Sequence, residues 1–150
     1  DMLTDGANSK ISQYQKLVGI VNDIRNNDFA GAAELYATLD VSQLTDIDDG
    51  SGVSVTEIYQ SIAGRMNSEG YLSLYSRAEV QYQAGTYRGA IDLYDKSLAI
   101  NPNYAPALFR KAMAYKELGD NDTANSFFEE VGTRFPGTEL ARQAESEKIR

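Results

Sequence analysis

Residues 71–104, YLSLYSRAEVQYQAGTYRGAIDLYDKSLAINPNY, and residues 105–138, APALFRKAMAYKELGDNDTANSFFEEVGTRFPGT, align without a gap at an offset of 34. Five positions are identical: Leu74 with Leu108, Ala78 with Ala112, Gly85 with Gly119, Ala90 with Ala124, and Pro102 with Pro136; Tyr94 stands opposite Phe128. Each pair has a physical reading. A glycine in mid-segment suits a turn between antiparallel helices that needs a positive φ. An alanine lets two helices approach closely, and an aromatic ring one turn later fills the space beside it. A proline ends the second helix. Each unit therefore reads as helix, turn, helix.

This period and pattern resemble the tetratricopeptide repeat, over residues 71–138. The resemblance implies an all-α helical solenoid of antiparallel hairpins in which the first helix of each unit lines a concave groove. The positions that match the groove are Tyr75, Glu79 and Tyr82 in one unit and Phe109, Met113 and Lys116 in the next. Aromatic side chains with a methionine suit an extended or helical peptide. Two readings stay open for them: an open groove, or core covered by the N-terminal part of the chain. One subset of the family grips a C-terminal carboxylate with Lys, Asn and Arg; that set is not reproduced at the matching positions, and Glu79 would repel such a ligand. The chain also departs from the family at Leu74 and Leu108, where Trp is frequent, and at Arg77 and Lys111, where Leu is frequent. Arg110 and Lys116 are within reach of an acidic group, though basic residues on helices usually face solvent.

Working outward, residues 139–150 read as a helix that caps the last unit, with Leu140, Ala141 and Ala144 on one side. Upstream, Ser54 and Glu57 form a capping-box pattern, and Ile62, Met66, Gly70, Leu74 and Ala78 keep a step of four. One long helix to about Ala84 is expected, with a kink or break at Gly70 as the alternative; residues 55–70 are then an insertion forming its first half. Residues 10–40 read as a degenerate hairpin. Tyr14, Leu17, Val18, Val21 and Ile24 stripe its first helix, Asp28 caps its second, and Asn27, Phe29, Ala32 and Tyr36 echo the repeat. Residues 1–9 read as a flexible polar tail, and residues 41–54 as an acidic, solvent-exposed loop. The count is about seven helices in a single domain over residues 10–150.

Composition removes several classes of function. The net charge is −8 and no basic cluster follows a phosphate backbone, so nucleic acid is not an expected partner. There is no Cys and no His, which removes thiolate and imidazole ligands and the usual base of a hydrolytic triad. Glu129 and Glu130 are neighbours on one helix and cannot flank a substrate. Asp46, Asp48, Gly50 and Glu57 approach a calcium loop, but the required glycine position holds Ser51, and the better reading of Glu57 is the helix cap. No enzyme, cofactor or metal site is expected.

No run of about 18 apolar residues exists, so this segment is not expected to insert in a membrane. The opening at Asp1 reads as a trimmed fragment. The string Phe135 to Ala141 is similar to the ends of repeat modules in bacterial cell-envelope proteins, which implies a module on the extracytoplasmic face of a bacterial membrane behind an N-terminal anchor; the cytoplasm is the alternative. The expected function is a scaffold that binds a protein or peptide in the groove. The rival is a structural module that spaces or self-associates a membrane-anchored protein.

Overall fold

The computed structural model describes residues 2–44 and 54–150, with side chains from Gly6 onward. The helices are α1 (Met2–Arg25), α2 (Phe29–Ala37), α3 (Val55–Arg65), α4 (Tyr71–Gln83), α5 (Tyr87–Ile100), α6 (Ala105–Glu117), α7 (Asn121–Arg134) and α8 (Glu139–Glu147). A single 3-10 turn spans Val41–Gln43, and a π turn spans Met66–Gly70. Among the described residues there is no strand, and the fold is all-α. The chain divides into two units, Asp1–Ser73 and Leu74–Arg150.

In the first unit, α1 and α2 form the expected hairpin. Asn27 takes a positive φ of 58°, a conformation asparagine tolerates, and the Asp28 amide returns to the Asp23 carbonyl at 2.8 Å. Asp28 caps α2 by accepting from the Gly31 amide at 2.9 Å. Leu17 and Ile20 of α1 are buried, as are Ala32 and Ala33 of α2. The stripe of α1 differs from the expected one. Ile20 is fully enclosed while Val18 is 46% exposed and Ile11 is 54% exposed, because the side toward α2 is the one carrying Gly19, which leaves room for Leu35.

Residues 2–9 are helical, which corrects the expectation of a flexible tail there. Gly6 is the only glycine in that stretch and no proline interrupts it, so the helix runs on at a cost of about 1 kcal/mol for the glycine. Of the expected acidic loop over residues 41–54, Val41–Gln43 form the 3-10 turn, capped by Asp40 through the Ser42 amide at 3.1 Å. Asp46, Asp48, Gly50 and Ser51, the positions weighed for calcium, lie outside the described residues.

Ser54 caps α3 by accepting the Thr56 amide at 3.1 Å. The chain is helical from Val55 to Gln83 and does not break at Gly70; it widens there into the π turn. Gly70 is buried, and a Cβ on it would sit 2.9 Å from Met66 Sδ and 3.2 Å from Ala33 Cβ. The glycine lets the π turn lie directly against α2.

In the second unit the two repeats obey the same rules. Gly85 and Gly119 have φ of 79° and 82°. After each, the next amide returns to a carbonyl five residues back: Thr86 to Gln81 at 2.9 Å and Asp120 to Tyr115 at 3.0 Å. Leu74, Ala78, Ala90 and Tyr94 are buried, and so are Leu108, Ala112, Ala124 and Phe128. Lys111, at a position where Leu is frequent in the family, packs its ammonium 4.2 Å from the Phe127 ring centre and bonds Asp95 at 2.6 Å. Arg134 donates to the Pro102 carbonyl at 2.6 Å and to Asn103 Oδ1 at 3.2 Å, fastening the end of one repeat to the end of the other.

Thr138 caps α8, accepting from the Ala141 amide at 3.1 Å. This helix buries Ala144 in the core built from Leu108, Phe109, Ala112, Ala124, Phe128 and Val131. It ends at Glu147 and not at Arg150 as expected. Lys148 turns to φ −55° and ψ 137°, and the Asn125 side chain takes both backbone groups of Ile149, at 2.8 and 2.7 Å.

Candidate functional site

An open cleft of about 400 Å³ lies in the second unit between α4, α6 and α8. Tyr75 comes from α4; Pro106, Phe109, Arg110 and Met113 from α6; Leu140, Gln143 and Glu147 from α8. The origin of the cleft is the repeat. Tyr75, Phe109 and Gln143 stand at successive offsets of 34, as do Glu79, Met113 and Glu147. All of the first set, and Met113 and Glu147 of the second, face one space.

The groove positions expected from sequence divide into two groups. Tyr75, Phe109 and Met113 line the cleft. Phe109 is also core: it is buried, and its ring lies 5.9 Å from that of Phe128. Met113 is half-buried against the same cluster. Glu79, Tyr82 and Lys116 instead make contacts within the unit. Glu79 is bonded to Arg110 Nε at 3.2 Å and accepts the Tyr94 hydroxyl. Tyr82 meets Tyr87 edge to face at 5.3 Å, with the Arg110 guanidinium 5.3 Å from its ring centre. Lys116 bonds the Glu147 carboxylate at 2.8 Å and the Glu147 carbonyl at 3.2 Å.

Arg110 is the centre of the polar wall. Burial by itself would lower its pKa, but the Glu79 carboxylate, then the hydroxyl of Tyr75, raise it above the ordinary guanidinium value. Tyr75 is held above the usual phenol range chiefly by burial, with Glu79 adding to it. Its ring lies 5.2 Å from that of Tyr104, edge on, and 5.8 Å from that of Tyr94. Tyr94 is raised further, first by burial and then by its bond to Glu79. The result is an aromatic wall with one cation whose counter-charge is already seated.

Reading the sequence one helix at a time missed the contribution of α8. Carrying the offset of 34 once more past Phe109 and Met113 reaches Gln143 and Glu147, so the signal was present. Among the described residues no group of acidic side chains is gathered to hold a metal ion. None of the described helices is long and apolar enough to cross a membrane.

Comparison with known proteins agrees with this geometry. Residues 81–146 match the family profile described as Tetratricopeptide repeat. A TPR repeat-containing protein of Methanocaldococcus jannaschii is 24% identical over 135 residues, covering 81% of this chain and 23% of the relative. The chain thus spans about a quarter of that relative's length. Matched helix pairs, paired positive-φ glycines and the family profile coincide on the same residues, and over residues 81–146 the chain is similar to the tetratricopeptide repeat in both sequence and fold.

Proposed function

We propose that this chain is a non-catalytic scaffold that binds a peptide or protein partner in the cleft between α4, α6 and α8. The observation that carries the reading is the convergence of Tyr75, Phe109 and Gln143, equivalent positions of three successive helices, on one space of about 400 Å³ lined by both apolar and polar side chains. Repeats of this family generally mediate protein–protein interactions. The test is site-specific photocrosslinking in native extract, with the probe at Gln143 in the cleft or at Glu129, an exposed position on α7. The cleft reading requires a crosslinked partner from position 143 and none from position 129; equal capture at both would sink it.

A second reading has its own observation. On α1, Ile11, Tyr14, Val18 and Val21 recur at steps of three and four, with Ile11 and Val18 exposed. That seam suits pairing with another helix, as in a self-associating module. Sedimentation of the chain and of Val18→Glu separates the cases: a dimer abolished by the substitution supports self-association, and a monomer at all concentrations removes it.

We further propose that the module belongs to a larger cell-envelope protein and works on the extracytoplasmic face of a membrane. The similarity of Phe135 to Ala141 to envelope repeat modules supports this address. Digestion of the full-length protein by external protease in intact spheroplasts tests it; protection there with cleavage only after lysis would reject it.

A further inference from the structure

We infer that the ligand of the α4–α6–α8 cleft is an uncharged stretch of peptide anchored by one apolar side chain, and not a carboxylate terminus or a basic segment. This inference rests on the cleft being the binding site. Three features of the walls lead to it.

First, each charge in the cleft's walls is matched from inside the unit. Arg110 is bonded to Glu79 at 3.2 Å, and Glu147 to Lys116 at 2.8 Å. Both pairs are only about one-third exposed or less, at 32% with 23% and 34% with 35%. A charged ligand entering here loses water and meets only charges that a partner already neutralises, so its own charge is weakly compensated. An acidic ligand competes with Glu79 for Arg110, and a basic one competes with Lys116 for Glu147.

Second, apolar groups share the floor with polar ones. Tyr75, Phe109, Met113 and Leu140 present ring, thioether and methyl groups to the cleft. Methionine adapts its shape to a varied aliphatic or aromatic anchor. Third, the exposed Gln143 on α8 offers a neutral amide with both donor and acceptor, which matches a peptide backbone and not a formal charge.

The test is selection from a displayed library of random peptides of fixed length, followed by titration calorimetry of the enriched peptides at low and high salt. The variants are Met113→Glu, on the floor, and Gln143→Ala, an exposed position whose loss cannot unfold the unit; circular dichroism checks both. The expected result is enrichment of peptides without charge over the contact stretch. Their affinity should change less than about twofold with salt, fall about tenfold or more with Met113→Glu, and fall several-fold with Gln143→Ala. Enrichment of acidic, carboxylate-terminated or basic peptides whose affinity collapses with salt would overturn the inference while leaving the cleft as the site. No binder, or binders indifferent to both substitutions, would overturn the inference and the cleft reading together.

Discussion

The side-chain amide of Asn125 holds the backbone of Ile149 at both ends, donating to its carbonyl at 2.7 Å and accepting from its amide at 2.8 Å. Together with the bond from Lys116 to the Glu147 carbonyl, this pins the end of α8, and with it one wall of the cleft, to α6 and α7. Asn125→Ala should destabilise the second unit by about 1–2 kcal/mol, since two partly buried hydrogen bonds are lost. Asn125→Asp keeps the acceptor alone and should fall between. Hydrogen exchange checks the location: the Ile149 amide should lose protection in Asn125→Ala while those of α4 keep theirs.

Gly64 and Gly70 are six residues apart in one helical run and should respond oppositely to alanine. Gly64 in α3 is exposed, and a Cβ there meets nothing within 4 Å. Gly64→Ala should raise stability by about 0.5–1 kcal/mol through helix propensity and the unfolded chain. Gly70→Ala places its methyl against Ala33 and the Met66 sulfur and should lower stability by about 1–3 kcal/mol. Urea denaturation of both variants reads the signs; a stabilising Gly70→Ala would mean that α2 does not pack against the π turn.

Alkaline pH should destabilise the second unit through Tyr94. Its folded pKa is raised above the unfolded value of 10.0 by burial and by the bond to Glu79. The folded state therefore holds the proton more tightly. That stability is fully present below about pH 10 and is lost as pH climbs from there toward the folded pKa. Tyr94→Phe should cost about 1 kcal/mol at neutral pH, because Glu79 loses one donor, and should flatten the fall in melting temperature above pH 10. An unchanged alkaline slope would refute the role of Tyr94.

Removing the cation of the cleft should change what it prefers. Arg110→Gln leaves Glu79 with only the Tyr94 hydroxyl, so the wall gains a net negative charge. The expected loss of stability is up to about 1 kcal/mol for this partly exposed pair. In a double-mutant cycle with Glu79→Gln, the coupling should be of the same size. Peptides selected against Arg110→Gln should carry basic residues where those selected against the natural chain do not.

Much of the second unit was legible because its signals are local. Leu74, Ala78, Gly85, Ala90 and Pro102 recur one period later, and each does the same physical task in both places. The cap was legible as a cap and not as a wall, because Arg142 and Ser146 replace the Leu and Ala that mark the first helix of the two repeats before it. The pairing of Glu79 with Arg110 was not legible. It joins residues on different helices and depends on how α4 meets α6, which no spacing along the chain encodes. The stripe of α1 was legible at Leu17 but took Val18 in place of Ile20 for a related reason: both are apolar, and Gly19 decides which side α2 can approach.

The two repeats differ at two positions in step. Where the groove position holds Glu79, the buried ring opposite is Tyr94, whose hydroxyl reaches that carboxylate. Where it holds Met113, the ring is Phe128, in the apolar cluster on which Met113 packs. Polar accompanies polar, and apolar accompanies apolar. The units are therefore spelled in matched letters, and an array lengthened by copying the first must keep Glu79 with Tyr94 and also an arginine at the Arg110 position of the unit that follows: a Glu set above Phe128, or a Met above Tyr94, would strand a carboxylate or a phenol without its complement.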